Sequence, residues 1–299
     1  MSPPRHKSRR VELPPGTLAI LRRALQEDRW THDVTTSAVL RGQPRGRAQV
    51  IAQGTGVVSG LAAGRALARI AGLQSRTVLA DGSPIHRGTV VLKLTGEVRR
   101  ILAVERTLLN LLMHLSGVAT LTAATVRAAR EGRPGFRIRA TRKTLPGLRD
   151  LEKAAVVHGG GEPHRRDLSD AVLIKSTHLS LVPLRVAVQR ARGRFRSPAR
   201  VQVEVRSLAE AREAMTAGAR RLLIDNQTPA TVTRIVRALR RLPGGASVEV
   251  EVSGGIGPET VAAYARTGAD AASLGRLTHS APAVPFHLRL DVPRRDAER

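Results

Sequence analysis

The chain has 299 residues, and its 50 lysine and arginine residues against 24 aspartate and glutamate residues give a formal net charge of +26. The hydrophobic share of 41% is too high for a disordered basic tail and is enough for the core of one large domain or two smaller ones. Because the chain has no cysteine, disulfides, thiolate nucleophiles and cysteine-ligated metal sites are excluded.

The positive charge comes mostly from arginine, since only five of the basic residues are lysine. A charge of this size implies anionic partners, and nucleic acid is the first class to consider. However, the arginines are spread along the chain, and aromatic residues, which stack on unpaired bases, make up only 2%. We therefore favour a general arginine bias of the surface over a nucleic-acid interface.

The N-terminal residues 1–16 are expected to form a flexible basic arm. Residues 1–10 are basic, but the segment that follows contains two prolines and is not the apolar run of a signal peptide. A cytoplasmic location is therefore expected.

The first half of the chain has the pattern of a mixed α/β domain followed by a long helical segment. Its predicted elements are a helix over 18–25, a polar turn over 28–36, strands over 47–58 and 89–97 with a helix over 60–71 between them, and helical structure over 101–130. Residues 107–126 are uncharged and long enough to cross a bilayer, but Asn110, His114 and Ser116 interrupt them. We interpret this stretch as one or two buried helices.

After residues 133–135 the pattern changes to a repeated alternation of strand and helix. The predicted strands are 136–141, 171–174, 201–205, 221–224, 248–252 and 271–274. Such repeats with short connections indicate parallel strands, in an α/β barrel or an open doubly wound sheet. We expect apolar strand interiors, and functional residues just after the strands.

Charged residues and glycines do follow these strands, and they fall into two chemical groups. The cationic group suits carboxylates or phosphates and comprises Arg142, Lys143, Lys175 and the preceding loop pair His164 and Arg165. Glu204 and Asp225 form an acidic group that suggests Mg²⁺ carried by a phosphate substrate. A glycine loop, Ser253-Gly254-Gly255, precedes a predicted helix and could cradle a phosphate.

Each of these features has an ordinary structural interpretation when it is taken alone. Arg142 and Lys143 could be a surface pair in an arginine-rich chain, and a Ser-Gly-Gly segment is more often a turn than a phosphate site. Glu204 is harder to explain in this way, because a carboxylate within an apolar strand is costly unless it is paired. Their occurrence at successive strand ends favours one site for a metal-bound phosphate ester and an organic polyacid.

Several motifs, in order, resemble the quinolinate phosphoribosyltransferase family over about residues 27–290. They are Glu105-Arg106-Thr107 with Asn110, Leu115-Ser116-Gly117, the segment 141–149 (TRKTLPGLR), Leu151-Glu152-Lys153, Gly159-Gly160-Gly161, His164-Arg165, Leu173-Ile174-Lys175, Asp225-Asn226, Ser253-Gly254-Gly255-Ile256 and Leu277-Thr278-His279-Ser280. The resemblance implies an N-terminal α/β sandwich domain over 17–116, with 278–299 packed back on it. An open, incomplete α/β barrel with parallel strands would follow over 117–277, and the subunits would form homodimers or larger assemblies.

The resemblance also implies a role for each matched residue. Arg142, His164, Arg165 and Lys175 would hold the acid, and Arg106 would reach it across a dimer interface. Lys143 would lie between the acid and phosphoribosyl diphosphate, while Glu204 and Asp225 would hold the ribose hydroxyls and, through water, Mg²⁺. The ribose phosphate would be bound by Ser253, Gly254, Gly255 and Gly275.

The implied reaction transfers phosphoribosyl to quinolinate, with loss of CO₂, and yields nicotinate mononucleotide and diphosphate for NAD biosynthesis. No nucleic acid and no membrane take part. Four positions depart from the family pattern, namely Ala140, Pro163, Ser176 and Thr177. A specialised paralogue that transfers phosphoribosyl to another pyridine carboxylate is therefore one alternative, and a non-enzymatic nucleic-acid-binding role of the basic surface, which the spread of the arginines disfavours, is the other.

Overall fold

The computed structural model describes residues 13–291 except 196, 198 and 199. Within this range the chain forms two compact units, of which one comprises 13–116 with 283–291 and the other comprises 117–282. Residues 1–12 of the expected basic arm lie outside the described residues, and a helix already begins at Pro15.

Helices and strands follow one another along the described chain. They are α1 (Pro15–Glu27), α2 (Val34–Val39), β1 (Arg45–Ala52), β2 (Gly56–Val57), α3 (Leu61–Ile70), β3 (Gln74–Thr77), β4 (Pro84–Ile85), β5 (Val90–Glu97), α4 (Val98–Gly132), β6 (Arg137–Arg139), α5 (Arg149–His158), β7 (Val172–Ile174), α6 (Ser176–Leu179), α7 (Leu184–Arg194), β8 (Val201–Val205), α8 (Leu208–Thr216), β9 (Arg221–Asp225), α9 (Pro229–Arg240), a 3₁₀ turn (Gly245–Ser247), β10 (Glu249–Ser253), α10 (Val261–Ala265), β11 (Ala271–Ser273), α11 (Arg276–His279) and β12 (Phe286–Asp291).

The N-terminal unit is built on an antiparallel sheet with the strand order β12-β1-β5-β3. Alternate residues of β1 are buried, and α3 packs close to β5, where a Cβ on Gly64 would lie 3.3 Å from Leu92. The predicted strand 47–58 is wrong in its second half. β1 ends at Ala52, Gly54 packs against Pro285, and the short β2 pairs with β4 instead.

The long helical segment is a single helix, α4, which begins in the N-terminal unit and ends in the C-terminal one. By length and composition it could cross a membrane, with a mean hydropathy of 1.4 over its most apolar window. However, 56% of that window is buried, and Leu108, Leu112 and Leu115 are fully enclosed. The helix therefore has the character of a core helix, in agreement with the prediction.

The C-terminal unit is built on a six-stranded parallel sheet with the order β6-β11-β10-β9-β8-β7. Its edge strands β6 and β7 are not paired with each other in the described part of the chain, and an isolated bridge links Arg139 of β6 to Glu162 in the segment between them. The predicted fold class, an α/β protein with an N-terminal α/β domain and an open barrel-like unit of parallel strands, is confirmed. Because all six strands run in one direction, their carboxyl ends lie at one edge.

The expected apolar interior of the strands is wrong for one face of this sheet. In β8 the valines are enclosed on one side, while Gln202 and Glu204 point to the other. The register pairs Gln202 with Arg221 and Glu251 with Leu223, so polar residues of neighbouring strands share this face. The alternation follows from the strand period of two, with aliphatic residues on one face and hydrogen-bonded polar groups on the other.

Arg139 is the centre of the polar face and is only 6% exposed. Its guanidinium donates to Glu162 (2.8 Å), to Glu249 (2.6 Å) and to Glu251 (2.7 Å). Burial alone would lower the pKa of Arg139, but the hydrogen bond to Glu162 and the charge of Glu251 outweigh burial and raise it. Arg139 is thus the arginine counter-ion of the buried Glu251, whereas Glu249 also pairs with Arg137 and Arg221, and Glu162 is partly exposed.

We expect Arg139→Met to lower the free energy of unfolding by about 3–5 kcal/mol, because it leaves the buried carboxylate of Glu251 without its arginine counter-ion. Urea unfolding followed by circular dichroism measures this loss. The control is Arg276→Met, which removes a half-exposed pair with Glu259 and is expected to cost less than about 1 kcal/mol. Equal losses in the two variants would contradict this role of Arg139.

Candidate active site

Residues from five of the six parallel strands meet at the carboxyl edge of the sheet. Arg142 and Lys143 follow β6, and Lys175 directly follows β7. Glu204 lies one residue before the end of β8, and Asp225 and Ser253 end β9 and β10. The structure thus brings Arg142, Lys143 and Lys175 of the predicted cationic group to the same edge as both acidic residues.

Four residues of the predicted cationic group form no salt bridge with any carboxylate among the described residues, whereas His164 lies 3.5 Å from Glu251. Arg142, Lys143, Arg165 and Lys175 all lack such a partner, whereas Arg139 has three. The Nε atom of Arg142 is buried and has no hydrogen-bond partner within the described part of the chain. Burial and repulsion by Arg142 lower the pKa of Arg165, despite the nearby Asp170. Cations arranged in this way are suited to an anionic ligand.

His164 and Arg165 lie in the loop before β7 and line a cavity of about 410 Å³. Arg139, Gln202 and Arg221 also line it, but Arg142, Lys143 and Lys175 do not. The predicted acid-binding residues are therefore in two places, the cavity and the strand edge. Arg165 lines the cavity and is also close enough to Arg142 for the charge of Arg142 to lower the pKa of Arg165.

The side chain of His164 is directed at the polar face of the sheet. Its Nε2 lies 3.3 Å from Oε1 of Gln202 and 3.5 Å from Oε1 of Glu251. Because both neighbours are acceptors, the ring carries its hydrogen on Nε2. Burial lowers the pKa of His164, and the opposing charge of Glu251 does not reverse this shift. A neutral ring with its hydrogen on Nε2 has none on Nδ1, so Nδ1 can donate to a carboxylate only after the ring is protonated.

Glu204 and Asp225 lie on the same face of neighbouring strands, since Glu204 pairs with Leu223. Glu204 is 6% exposed and accepts a 3.4 Å hydrogen bond from the backbone N–H of Ser176. Asp225 accepts one of 2.7 Å from the amide of Asn226. No cluster of three or more metal-ligating side chains occurs within the described residues. Two carboxylates fit a Mg²⁺ ion that keeps water and brings phosphate oxygens with it.

The glycine loop after β10 depends on close packing against Asn226. Gly254 has φ +95°, and a Cβ there would lie 2.1 Å from Oδ1 of Asn226. Gly255, at φ +63°, faces open space, so the backbone is accessible. Across the site, a Cβ on Gly275 would lie 2.6 Å from Cδ of Lys143, which shows that Lys143 crosses Gly275.

The helices that follow the glycine loop and Gly275 are short. The helix after the glycine loop begins only at Val261 and has five residues, and the helix after Gly275 has four. Helices this short carry little dipole. The backbone N–H groups of the glycine loop are therefore the groups here that suit a phosphate.

Arg106 lies in the N-terminal unit, where it is exposed on α4. Its predicted reach into a partner's site stays a prediction. Sequence reasoning missed Gln202 and Glu251, which support the site. It included Thr278 only as part of a motif, and the structure shows that its hydroxyl donates to the carbonyl of Lys143 at 2.7 Å. The alternation of polar and apolar residues in β8 and β10 is the sequence pattern that could have indicated Gln202 and Glu251.

Two family models match the chain in succession. Residues 33–116 match the N-terminal domain of quinolinate phosphoribosyl transferase, and residues 118–289 match its C-terminal domain. This chain belongs to the quinolinate phosphoribosyl transferase family. The resemblance inferred from the motifs is confirmed.

Relatives of this family member match over nearly their whole length. A probable nicotinate-nucleotide pyrophosphorylase (carboxylating) from Methanothermobacter thermautotrophicus is 39% identical and covers 91% of this chain and 98% of its own. The nicotinate-nucleotide pyrophosphorylase (carboxylating) of Mycobacterium leprae is 38% identical, over 90% of this chain and 95% of its own. The structure of the Francisella tularensis nicotinate-nucleotide pyrophosphorylase has a TM-score of 0.85 at 30% identity, over 94% of this chain and 98% of its own.

We expect Gly254→Ala to destabilise the protein by about 1–3 kcal/mol, because the new Cβ would be strained at positive φ and would collide with Asn226. Thermal unfolding measures the loss. The control is Gly193→Ala in α7, where a Cβ would meet nothing within 4 Å and should stabilise the helix slightly. A Gly254→Ala protein as stable as the parent would contradict the packing described.

Proposed function

We propose that this chain is a carboxylating nicotinate-nucleotide pyrophosphorylase. It transfers phosphoribosyl from phosphoribosyl diphosphate to quinolinate and releases nicotinate mononucleotide, diphosphate and CO₂. The observation that carries the proposal is the group of unpaired cations beside Glu204 and Asp225, in a chain whose relatives bear this name. We expect the reaction to serve NAD biosynthesis in the cytoplasm.

The acid is held by the unpaired cations. Quinolinate has two neighbouring carboxylates, and guanidinium groups bind carboxylates through paired hydrogen bonds. Arg142 offers a buried Nε without a partner among the described residues, and Arg165 experiences the charge of Arg142. A dicarboxylate between them removes that repulsion. Lys175 adds a further charge, and His164 donates to a carboxylate through Nδ1 once its ring is protonated, a state that the bound dianion favours.

The phosphoribosyl donor is held by the acidic group and the glycine loop. Glu204 and Asp225 accept hydrogen bonds from the ribose hydroxyls and would hold, through water, Mg²⁺ that arrives with the diphosphate. When bound, Mg²⁺ would supply positive charge to the diphosphate. The backbone N–H groups of Ser253, Gly254, Gly255 and Gly275 bind the ribose phosphate.

The reaction needs no protein nucleophile. The pyridine nitrogen bonds to the anomeric carbon while the bond to diphosphate breaks, and diphosphate takes that electron pair. Lys143, which crosses Gly275, supplies positive charge between the two substrates. The quaternary nitrogen then stabilises the electron pair left on the adjacent carbon when CO₂ leaves, and this carbon takes a proton from water.

The purified protein with quinolinate, phosphoribosyl diphosphate and Mg²⁺ is expected to form nicotinate mononucleotide, detected by mass spectrometry. Lys143→Ala and Asp225→Asn should each lower kcat about 100-fold or more. The matched control, Asp291→Asn at the end of β12, should keep the parent rate.

A panel of other pyridine carboxylates tests the alternative acceptor suggested by Pro163, Ser176 and Thr177. If another acid is turned over faster than quinolinate, that acid replaces quinolinate as the proposed acceptor.

We further propose a homodimer in which Arg106 completes the partner's site. Arg106→Ala and Lys143→Ala should each be inactive, but mixed subunits rebuild one intact site in each heterodimer. An equimolar mixture, refolded together, is therefore expected to recover about a quarter of the parent activity. Absence of any recovery, with dimers present by light scattering, would contradict a shared site.

A further inference from the structure

Helix α5 begins at Arg149 and carries the segment Leu151-Glu152-Lys153, for which the proposed mechanism has no role. Lys153 is a charged residue that is only 5% exposed. Its ammonium donates to the backbone carbonyl of Pro163, directly before His164 and Arg165. It forms no salt bridge with a carboxylate among the described residues. A buried, unpaired lysine is costly and calls for an explanation.

The charged groups around Lys153 are mostly positive. Arg149 is on the same helix, Arg142 is in the loop after β6, and Arg165 and Asp170 are in the loop before β7. Of these, only Asp170 favours the charged form of Lys153. Burial first, and then repulsion by Arg149, Arg165 and Arg142, lowers the pKa of Lys153 to about 8.

The neighbouring Glu152 holds the loop that carries Arg142 and Lys143. It is fully buried, and its carboxylate accepts a 3.1 Å hydrogen bond from the backbone N–H of Leu145, in the loop that carries Arg142 and Lys143. Two successive residues of α5 therefore fasten the two loops that carry the unpaired cations. Through these two hydrogen bonds one helix holds both loops.

We propose that Lys153 is a positioning residue for the acid substrate: it holds the loop of His164 and Arg165 through Pro163, and its positive charge strengthens binding of the dicarboxylate. The inference rests on the proposed function. The bound dianion in turn favours the charged form of Lys153, because binding and protonation are linked.

The linkage predicts the direction of the pH effect. Below pH 8 Lys153 is protonated before and after the acid binds, so pH has little effect on this contribution. Above pH 8 the free protein loses the proton and binding must restore it, so acid affinity falls as pH rises. One such group raises the KM for quinolinate about tenfold between pH 7 and pH 9. The KM for phosphoribosyl diphosphate and kcat should change by less than about twofold.

Substitutions separate charge from packing. Lys153→Met should have the high KM for quinolinate already at pH 7, and its KM should vary little up to pH 9. Lys153→Arg keeps a charge that does not titrate in this range and should keep the low KM at pH 9. Lys153→Gln can still donate to Pro163 without a charge, and serves if Lys153→Met does not fold. The control Lys93→Met, in β5 of the N-terminal unit, should retain the parent profile.

A second measurement does not depend on turnover. The chain has only five lysines, so NMR of protein with ¹³C-labelled lysine gives few signals, and Lys153 is identified by its loss in Lys153→Met. In the free protein this signal should titrate near pH 8, and quinolinate alone should move the titration above pH 9.

The inference would be overturned if the KM for quinolinate is unchanged in Lys153→Met. It would also be overturned if the Lys153 signal titrates in the ordinary range of lysine and does not shift when quinolinate is added. Failure of the proposed function looks different, since the parent protein would then form no nicotinate mononucleotide. In that case the NMR measurement decides, and a Lys153 signal unmoved by every pyridine carboxylate in the panel overturns the inference too.

Discussion

The contact of Arg139 with Glu162, Glu249 and Glu251 is the interaction on which the C-terminal unit depends. It joins the edge strand β6 to the central strand β10 and to the loop that leads to His164. Glu251 uses one oxygen for Arg139 and turns the other toward Nε2 of His164. The polar network that stabilises the interior therefore also orients a residue of the proposed site.

Pairing divides the cations of this chain into two kinds. Arg137, Arg139 and Arg221 contact Glu249 and support the sheet. Arg142, Arg165, Lys153 and Lys175 have no such partner within the described part of the chain. Unpaired cations repel one another, and a bound anion reduces this repulsion. The large net charge thus matters to function at a small set of positions whose counter-ions are missing from the chain and are expected in the substrates.

Much of the fold could be predicted from local pattern. The strand and helix alternation after residue 135 predicted all six parallel strands, because the apolar period and the short connections are local properties. The strand over 47–58 was too long, since its end is decided by packing of Gly54 against Pro285, which is distant in sequence. The sequence pattern likewise did not show how short the helices after Gly257 and Gly275 are.

The sequence by itself determined the family, the fold class and the residues at the strand ends, because motifs and periodicity are carried by neighbours along the chain. Only the tertiary structure decided which charges are paired, that Lys143 crosses Gly275, and that Lys153 is buried against Pro163. These facts depend on strand register and on contacts between distant segments. Composition counts charges, but it does not tell which of them have a partner.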